Sequence, residues 1–248
     1  MSLKKYREKR DFKTTTEPDG RPGGSSMAPK KKSSLIYVVQ KHRATSLHYD
    51  FRLEYNGVLL SWAVPKGPSL DPAVKRLAMH VEDHPLDYTN FEGVIPEGEY
   101  GGGTVMVWDN GTWTPESEDV EKALKAGDLK FNLQGKKLRG SWVLVRTRGF
   151  GGGSKESWLL IKHRDEFAST EDIAAEQPLS VLSGRLLADI ARDGGGDVAK
   201  AATGDPAVDA AKKNAGKIDD ARKTKTAVTS RSAAKPAKVK AKRISRKK

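Results

Sequence analysis

The sequence predicts a mainly β protein, an antiparallel β-barrel of about eight strands with one or two short helices and disordered termini. Three observations favour this fold class. Short runs of β-branched and aromatic residues recur between residues 35 and 168, and several alternate polar with apolar side chains. Asn-Gly pairs separate two pairs of these runs, as they do in tight hairpins. Both ends of the chain are poor in the large apolar residues that a packed core needs.

The predicted strands follow one another closely, and Asn56-Gly57 and Asn110-Gly111 are each expected to close a hairpin. One helix is expected at residues 117–126, with Ser117 as its N-cap and Gly127 just past its end. The predicted strands cover residues 34–40, 47–55, 58–64, 76–82, 104–108, 112–114, 129–133, 141–148 and 157–162.

Composition divides the chain into three parts. Residues 1–34 are polar and interrupted by Pro and Gly, which predicts a flexible N-terminal arm. Residues 35–168 form the predicted barrel domain. Residues 169–248 are rich in Lys and Ala and follow the last aromatic residue, Phe167, which predicts a disordered basic tail. An apolar patch at 178–187 is expected to form no more than a transient helix.

The net charge of +13 belongs to the end of the chain. Residues 222–248 carry twelve Lys or Arg and no acid, so residues 1–221 hold the remaining 33 of 45 basic residues against all 32 acidic ones. A lysine-rich tail can bind nucleic-acid phosphates without reading sequence. It is equally compatible with a solvated tail that aids solubility.

The bulk composition excludes several classes of protein. The sequence has no cysteine, which excludes disulfides, thiolate metal sites and a cysteine nucleophile and fits a reducing cytoplasm. No stretch approaches the ~20 apolar residues of a membrane span, and no apolar run follows the basic N-terminus. We therefore expect a soluble cytoplasmic protein that does not contact a membrane.

The most informative segment is the predicted strand at residues 47–55. Side chains alternate between the two faces of a strand, so His48, Asp50 and Arg52 share one face and an apolar stripe occupies the other. His42 lies only a short loop away. Two imidazoles and one carboxylate suit Mn²⁺, Zn²⁺ or Fe²⁺, and a neighbouring guanidinium suits a phosphate. The same pattern is compatible with ordinary pairs on a wet face, and the pattern alone leaves both interpretations open.

A second group of ionisable residues supports a site. In the strand predicted at 76–82, Arg76, His80 and Glu82 share a face, and His84 and Tyr88 follow its exit. We interpret His80 as structural. His163, alone between two basic residues, is also interpreted as structural or as a surface residue. The glycine-rich run at 98–103 lacks the order of a phosphate-binding loop and is expected to be a tight connection into the next strand.

Several strings together resemble the 3′-phosphoesterase module of bacterial DNA ligase D. The resemblance runs from about residue 10 to residue 167. Its strings are VQKH at 39–42, LHYDFRLE at 47–54, SWAVPKGP at 61–68, VEDHPLDY at 81–88, FEGVIPEGEYG at 91–101 and WLLIKH at 158–163.

The resemblance implies a manganese-dependent phosphoesterase that heals the 3′ ends of DNA or of a DNA–RNA primer. Such a module removes a 3′-terminal ribonucleotide and then the 3′-phosphate, leaving a 3′-hydroxyl for repair. It also implies the roles of single residues. The metal ligands fall on His42, His48 and Asp50. The catalytic residues fall on Arg52, Glu82, His84 and Tyr88; the phosphate-binding residues on Arg52, Lys66, Arg76 and His84; and an Arg-Asp pair of the N-terminal arm on Arg10 and Asp11.

The resemblance also raises alternatives. Ligase D joins this module to ligase and polymerase domains, whereas no adenylation-lysine motif is found here, which favours a free-standing version in the bacterial nucleoid. Separate ligase, polymerase or end-binding proteins are then its expected partners. A non-catalytic DNA-end-binding protein and an RNA-processing phosphodiesterase are the competing interpretations. The sequence does not choose between water and a 2′-hydroxyl as nucleophile, and a phosphate contact by His84 is strongest if its imidazole is cationic.

Overall fold

The computed structural model describes residues 2–21, 34–147 and 156–206, and within them one antiparallel sheet closes on itself. Eight strands form the barrel in the order β1-β2-β3-β4-β9-β8-β7-β6, and β6 pairs back to β1. Strand β5 pairs with β6 alongside the barrel. The predicted mainly β barrel is confirmed. The strands are β1 Leu35–Arg43, β2 Leu47–Tyr55, β3 Val58–Val64, β4 Arg76–His80, β5 Gly93–Ile95, β6 Gly103–Pro115, β7 Asp128–Gly135, β8 Arg139–Arg146 and β9 Ser157–Lys162.

The barrel interior is filled by one hydrophobic cluster to which all eight barrel strands contribute. On β2 the interior residues are Tyr49, Phe51 and Leu53, the apolar stripe that strand alternation predicts. Large rings dominate this core, and Trp62 and Trp108 are completely buried. The polar side chains of β2 therefore point outward from the barrel wall.

The two predicted hairpins have different outcomes. Asn56 and Gly57 both have positive φ, at 50° and 79°, and join β2 to β3 as predicted. The hairpin predicted at Asn110-Gly111 is wrong, because β6 runs unbroken through that pair. Gly111 is instead required for close packing, since a Cβ there would lie 2.3 Å from the carbonyl oxygen of Gln134.

A β-bulge accompanies this long strand. The partner of Val39 on β6 is Asp109, while the partner of Gln40 is Val107, so Trp108 is the extra residue. The bulge lets β6 bend around the barrel and places both Trp108 and Asp109 in the interior.

Helices are short and more numerous than the one or two expected. The expected helix is present as α2, but its N-cap is Asp119, whose side chain accepts from the Lys122 amide, rather than Ser117. Gly127 ends it in the left-handed conformation, as predicted. A 3-10 helix also covers Leu86–Asn90. The α-helices in the described part of the chain are α1 Lys4–Glu8, α2 Val120–Ala126, α3 Ile173–Glu176, α4 Leu187–Asp193 and α5 Val198–Ala202.

The predicted start of a disordered tail at residue 169 is wrong, because α3, α4 and α5 pack on the barrel. Ile173, Leu187 and Ile190 are at most 5% exposed and belong to the main core cluster. Leu187, Ile190 and Ala191 are spaced to form one apolar helical stripe, which is sufficient for docking without aromatic residues. The rest of the predicted tail, 207–248, lies outside the described residues.

The N-terminal arm also has more structure than its composition predicts. The ring of Tyr6 on α1 is completely buried, and its hydroxyl donates to the carbonyl of Pro18 at 2.6 Å. Residues 2–21 therefore fold back over the outer wall of the barrel, and residues 22–33 lie outside the described ranges. No helix in the described part of the chain is long and apolar enough to cross a membrane.

Candidate active site

The candidate site lies on the outer wall of the barrel where β1, β2 and β3 run side by side. Strand register pairs His42 with His48, Gln40 with Asp50, and Arg52 with Ser61. Directly paired residues present their side chains on the same face of a sheet, so all these polar groups converge outside the hydrophobic interior. The sheet therefore determines which residues meet.

A second hydrophobic cluster covers this polar wall and buries it. The cluster includes Tyr6 of the arm and Tyr88 of the 3-10 helix, so both segments act as the roof of the site. Beneath them is a cavity of about 220 Å³. Its walls include eight residues that the sequence singled out: Arg10, His42, His48, Asp50, Arg52, Glu82, His84 and Tyr88.

Three residues in this cavity can hold a metal ion. One ligand atom from each of His42, His48 and Asp50 lies within 4.8 Å of the others. His42 Nδ1 is 3.7 Å from one carboxylate oxygen of Asp50, and His48 Nε2 is 3.8 Å from the other. These separations leave room for a cation between the groups. Two imidazoles and one carboxylate form a donor set typical of Mn²⁺, Zn²⁺ or Fe²⁺.

The hydrogen bonds of the two imidazoles also fit a metal. His48 Nδ1 lies 3.0 Å from the carbonyl of Ser46, so this nitrogen carries the proton. Nε2 is then unprotonated, and its lone pair can coordinate a metal ion. His42 Nε2 is buried without a hydrogen-bond partner among the described residues. A buried polar atom without a partner is costly, which is consistent with a site built for a ligand.

The carboxylate of Asp50 is held in its ionised form. Burial alone would raise its pKa, but the charge of Arg52 and the nearby imidazoles outweigh burial and hold the pKa well below its ordinary value. Burial lowers the pKa of His48, which favours a neutral imidazole. A deprotonated carboxylate and neutral imidazoles are the forms that bind metal ions.

Arg52 is bonded to the protein through all three of its nitrogens. Nε donates to Gln40 at 2.9 Å, Nη1 donates to Ser61 at 2.9 Å, and Nη2 donates to Asp50 at 3.0 Å. Its side chain is only 3% exposed, and its guanidinium lies 4.9 Å from the ring centre of Tyr88. Each terminal nitrogen keeps one further N–H. The main role of Arg52 in this geometry is therefore to hold the carboxylate of Asp50 in place.

His84 lies at the back of the cavity and is neutral. Its Nδ1 is 2.9 Å from the carbonyl of Glu82 and carries the proton, so Nε2 presents its lone pair toward Arg10 Nη2 at 3.4 Å. Burial, followed by the charges of Arg52 and Arg10, lowers the pKa of His84 well below its ordinary value. The cationic form that would favour a phosphate contact is therefore not the form that this environment supports.

Comparison with known proteins finds a matching domain family. A family model described as "DNA Ligase D 3′-phosphoesterase domain" matches residues 40–146. Residues 40–146, which hold most of the barrel, are therefore similar to that domain family. The matched segment contains the three candidate metal ligands, Arg52 and His84, whereas the N-terminal arm lies outside it.

Curated relatives give the same result over a longer region. The multifunctional non-homologous end joining protein LigD of Pseudomonas aeruginosa is 54% identical over 190 residues, which cover 75% of this chain and 22% of that protein. The corresponding DNA repair protein of Mycobacterium tuberculosis is 44% identical over 164 residues, covering 66% of this chain and 20% of its own length. The chain therefore spans about a fifth of the length of these relatives.

The N-terminal arm contributes a network to the cavity that sequence reasoning only partly found. Arg10 Nε donates to Glu17 at 2.9 Å, and the hydroxyl of Tyr88 donates to the same carboxylate oxygen at 2.7 Å. Arg10 Nη1 also donates to Glu82, 3.3 Å away. Glu17 was missed because a single Glu in a polar arm gives no signal until the arm is seen folded back. Burial and the neighbouring Glu17 raise the pKa of Tyr88, so its hydroxyl stays protonated.

Three other predicted residues of the domain do not line the cavity. Lys66 is exposed in the loop after β3. Arg76 lies on β4 opposite Leu160, on the same face as buried Ala78. Asp11 caps a turn in the arm, where its carboxylate accepts from the amide of Lys13 at 3.0 Å.

Proposed function

We propose that this protein is a metal-dependent phosphoesterase that heals DNA 3′ ends. It first cleaves the 3′-terminal ribonucleotide so that its nucleoside leaves and its phosphate stays on the primer, and it then removes that 3′-phosphate to leave a 3′-hydroxyl. The observation that carries the proposal is the cluster of His42, His48 and Asp50 in a cavity that two cationic side chains also line. Similarity to the 3′-phosphoesterase domain family supports the reaction class. The order of the two steps and the ribonucleotide preference follow from the resemblance to ligase D.

The metal would be held by His42, His48 and Asp50, and we propose Mn²⁺. A divalent cation at this position would polarise phosphate oxygens and stabilise the charge that develops during phosphoryl cleavage. The remaining steps depend on side chains of this chain. Arg52 keeps Asp50 ionised and oriented, so its main contribution is to prepare the carboxylate that would bind the metal.

The phosphate would enter the cavity between the candidate ligands and the roof. Arg10 and Arg52 line this space and supply positive charge for the phosphate oxygens. His84 presents an unprotonated Nε2 to the same space and can accept a proton from an attacking water, the nucleophile available when the sugar before the terminal ribonucleotide is a deoxyribose without a 2′-hydroxyl. Tyr88 and Glu82 hold Arg10 in place, directly or through Glu17.

The setting would be DNA double-strand break repair. The relatives are named as multifunctional end-joining proteins, and this chain spans only about a fifth of their length. We propose that it prepares ends for ligase and polymerase activities, in cis or as separate proteins, in the bacterial cytoplasm.

The test is a labelled primer–template assay with three primers, ending in DNA, in one ribonucleotide or in a 3′-phosphate. With Mn²⁺, the protein should shorten the ribonucleotide primer and dephosphorylate the third primer, and a chelator should abolish both reactions. His42→Ala and Asp50→Asn should reduce both rates by at least a thousandfold, because each removes a metal ligand. His163→Ala, outside the cavity, is the matched control.

Three outcomes would contradict the proposal. Trimming that persists in both ligand variants would reject the metal assignment. Wild-type protein that binds the ends without cutting them would favour a non-catalytic DNA-end-binding role. An all-RNA strand added as a fourth substrate tests the remaining alternative, and a preference for it would favour RNA processing.

A further inference from the structure

The rim of the cavity carries an exposed aromatic ring that the proposed reaction does not yet use. Tyr100 lines the cavity and is 43% exposed, whereas Tyr88 in the same cavity is 2% exposed. A single exposed ring is ordinary on a protein surface, so the informative observation is its position on the lining of this cavity beside two cationic side chains.

The ring of Tyr100 is oriented although it is not buried. Lys9 Nζ lies 3.1 Å from the Tyr100 hydroxyl and 4.5 Å from the ring centre. The guanidinium of Arg10 is 5.5 Å from the same centre. Lys9 is itself fixed by Glu82 at 2.9 Å. The arm therefore holds Tyr100 at the rim by its hydroxyl and by cation–π contacts, leaving part of the ring open to solvent.

The glycine-rich loop explains how Tyr100 reaches this position. Gly98, Gly101 and Gly103 have φ of +92°, +83° and +150°, conformations that other residues rarely adopt. A Cβ on Gly103 would lie 2.2 Å from the carbonyl of Arg43, so the loop enters β6 in direct contact with the end of β1. A Cβ on Gly101 would lie 3.7 Å from Cε1 of His42. Gly101 therefore lies against His42, a candidate metal ligand, and Tyr100 is the residue before it in the loop.

We propose that the exposed ring of Tyr100 is a stacking platform for the base of the 3′-terminal ribonucleotide, the nucleoside that is released. The inference rests on the proposed function. A base offers a π-face whatever its identity, and stacking on an aromatic ring is sequence-tolerant, as end healing requires. The neighbouring Lys9 and Arg10 supply positive charge for the adjoining phosphate. Because the released nucleoside must leave after each turnover, its base is better placed at the open rim than inside the cavity.

The two reactions of the proposed function provide an internal control. In the first reaction the leaving group is a nucleoside, which carries a base. In the second reaction, removal of the 3′-phosphate, no nucleoside leaves, so no base is available to stack on Tyr100. Tyr100→Ala should lower kcat/KM for ribonucleotide removal by about tenfold to a hundredfold, in line with the loss of one base–aromatic stack. The same variant should retain 3′-phosphate removal within about threefold, since the metal ligands are untouched. Tyr100→Phe should keep most of both activities.

A second substrate tests the base directly. A primer whose terminal ribose lacks its base should be a poor substrate for the wild type, and Tyr100→Ala should lower its rate little further, because the stack is already lost. Phe167→Ala, which removes a ring of similar exposure that does not line the cavity, is the control and should change neither rate.

Distinct results separate this inference from the proposed function. If the wild type removes neither group, the proposed function fails. If the wild type is active and Tyr100→Ala slows both reactions equally, or slows the abasic primer as much as the normal primer, the stacking role is overturned. If Tyr100→Phe falls as far as Tyr100→Ala, the hydroxyl contact to Lys9 is what matters, and Tyr100 only anchors the arm.

Discussion

Arg52 Nη2 donates to Asp50 at 3.0 Å, and this bond joins the guanidinium that the sequence suggests for phosphate binding to the carboxylate that it suggests for metal binding. Both side chains are buried on the outer wall of the barrel. The guanidinium is also bonded to Gln40 and Ser61, so it has little freedom to move toward a substrate. The two residues therefore act as one unit that presents an ionised carboxylate to the cavity.

The first prediction concerns this unit. Arg52→Gln should lower the free energy of unfolding of the metal-free protein by about 3 kcal/mol, because it leaves the buried Asp50 carboxylate without its cation. It should also weaken Mn²⁺ binding, since the pKa of Asp50 then rises and its orientation is lost. Urea unfolding and titration calorimetry would measure the two effects. Saturating Mn²⁺ should restore part of the lost stability, because a cation again faces the carboxylate.

The exposed Arg164 provides the matched control for that prediction. Arg164→Gln removes the same charge from the surface and should change stability by less than about 0.5 kcal/mol. A variant at position 52 that binds Mn²⁺ as tightly as the wild type would show that Arg52 does not support the donor set.

Local sequence patterns predicted the part of the site that lies on one strand. Alternation along β2 placed His48, Asp50 and Arg52 on one face, and the structure finds them there, with Tyr49 and Phe51 in the core. Alternation is reliable here because a strand with one buried face has only one register that keeps apolar groups inside. The ionisable residues after the next predicted polar strand pointed to His84, and the family resemblance then added Arg10 from the N-terminal arm.

The differences between the sequence-based predictions and the structure depend on contacts between segments that are distant in the sequence. The unbroken β6 needs a bulge opposite Val39, and only the paired strand reveals why Asn110-Gly111 is not a turn. Glu17 gains its role when the arm folds back onto Tyr88. Composition treated residues 169–206 as a tail because small apolar residues give a weak signal, although a short stripe is enough to dock a helix on an existing core.

The second prediction concerns pH and the docking of the arm through Glu82. Burial alone would raise the pKa of Glu82, but its hydrogen bond from Lys9, with the charges of Lys9 and Arg10, outweighs burial and lowers the pKa below 4.5. The folded protein then binds fewer protons than the unfolded chain near this pH. Its contribution to stability is present above about pH 4.5 and is lost as the pH falls through the lower folded value.

Glu82→Gln should therefore destabilise the protein by about 1–3 kcal/mol at pH 7 and flatten the loss of stability between pH 5 and pH 3. Urea unfolding at several pH values measures both effects. Glu8→Gln is the matched control, since Glu8 is 58% exposed and its ion pair among the described residues is with exposed Lys4 in the same helix. Parallel acid profiles for wild type and Glu82→Gln would contradict this account.

The third prediction tests the helices that follow the barrel. Leu187 of α4 is fully buried in the main core cluster, so Leu187→Ala should lower the free energy of unfolding by about 2–5 kcal/mol. Leu182 is 50% exposed, and Leu182→Ala should change it by less than about 0.5 kcal/mol. Chemical denaturation of the two variants makes the comparison. Equal stability would mean that α4 is not part of the cooperative fold.

The last prediction concerns the basic segment at residues 222–248, which carries twelve Lys or Arg and no acid. If this segment binds DNA phosphates, deleting it should weaken binding to a primer–template and reduce the dependence of affinity on salt, because each lost phosphate contact lowers the slope by about 0.9. A chain of the same length with Gln in place of all twelve basic residues separates charge from length and should behave like the deletion. Fluorescence anisotropy between about 50 and 200 mM salt gives the slopes. Catalytic rates at saturating DNA should stay near wild type, since the cavity is formed by residues 10–101. An unchanged slope in both variants would assign DNA binding to the barrel and the N-terminal arm packed on it, where Lys9 and Arg10 of the arm and Arg52 of the barrel are the candidate phosphate contacts.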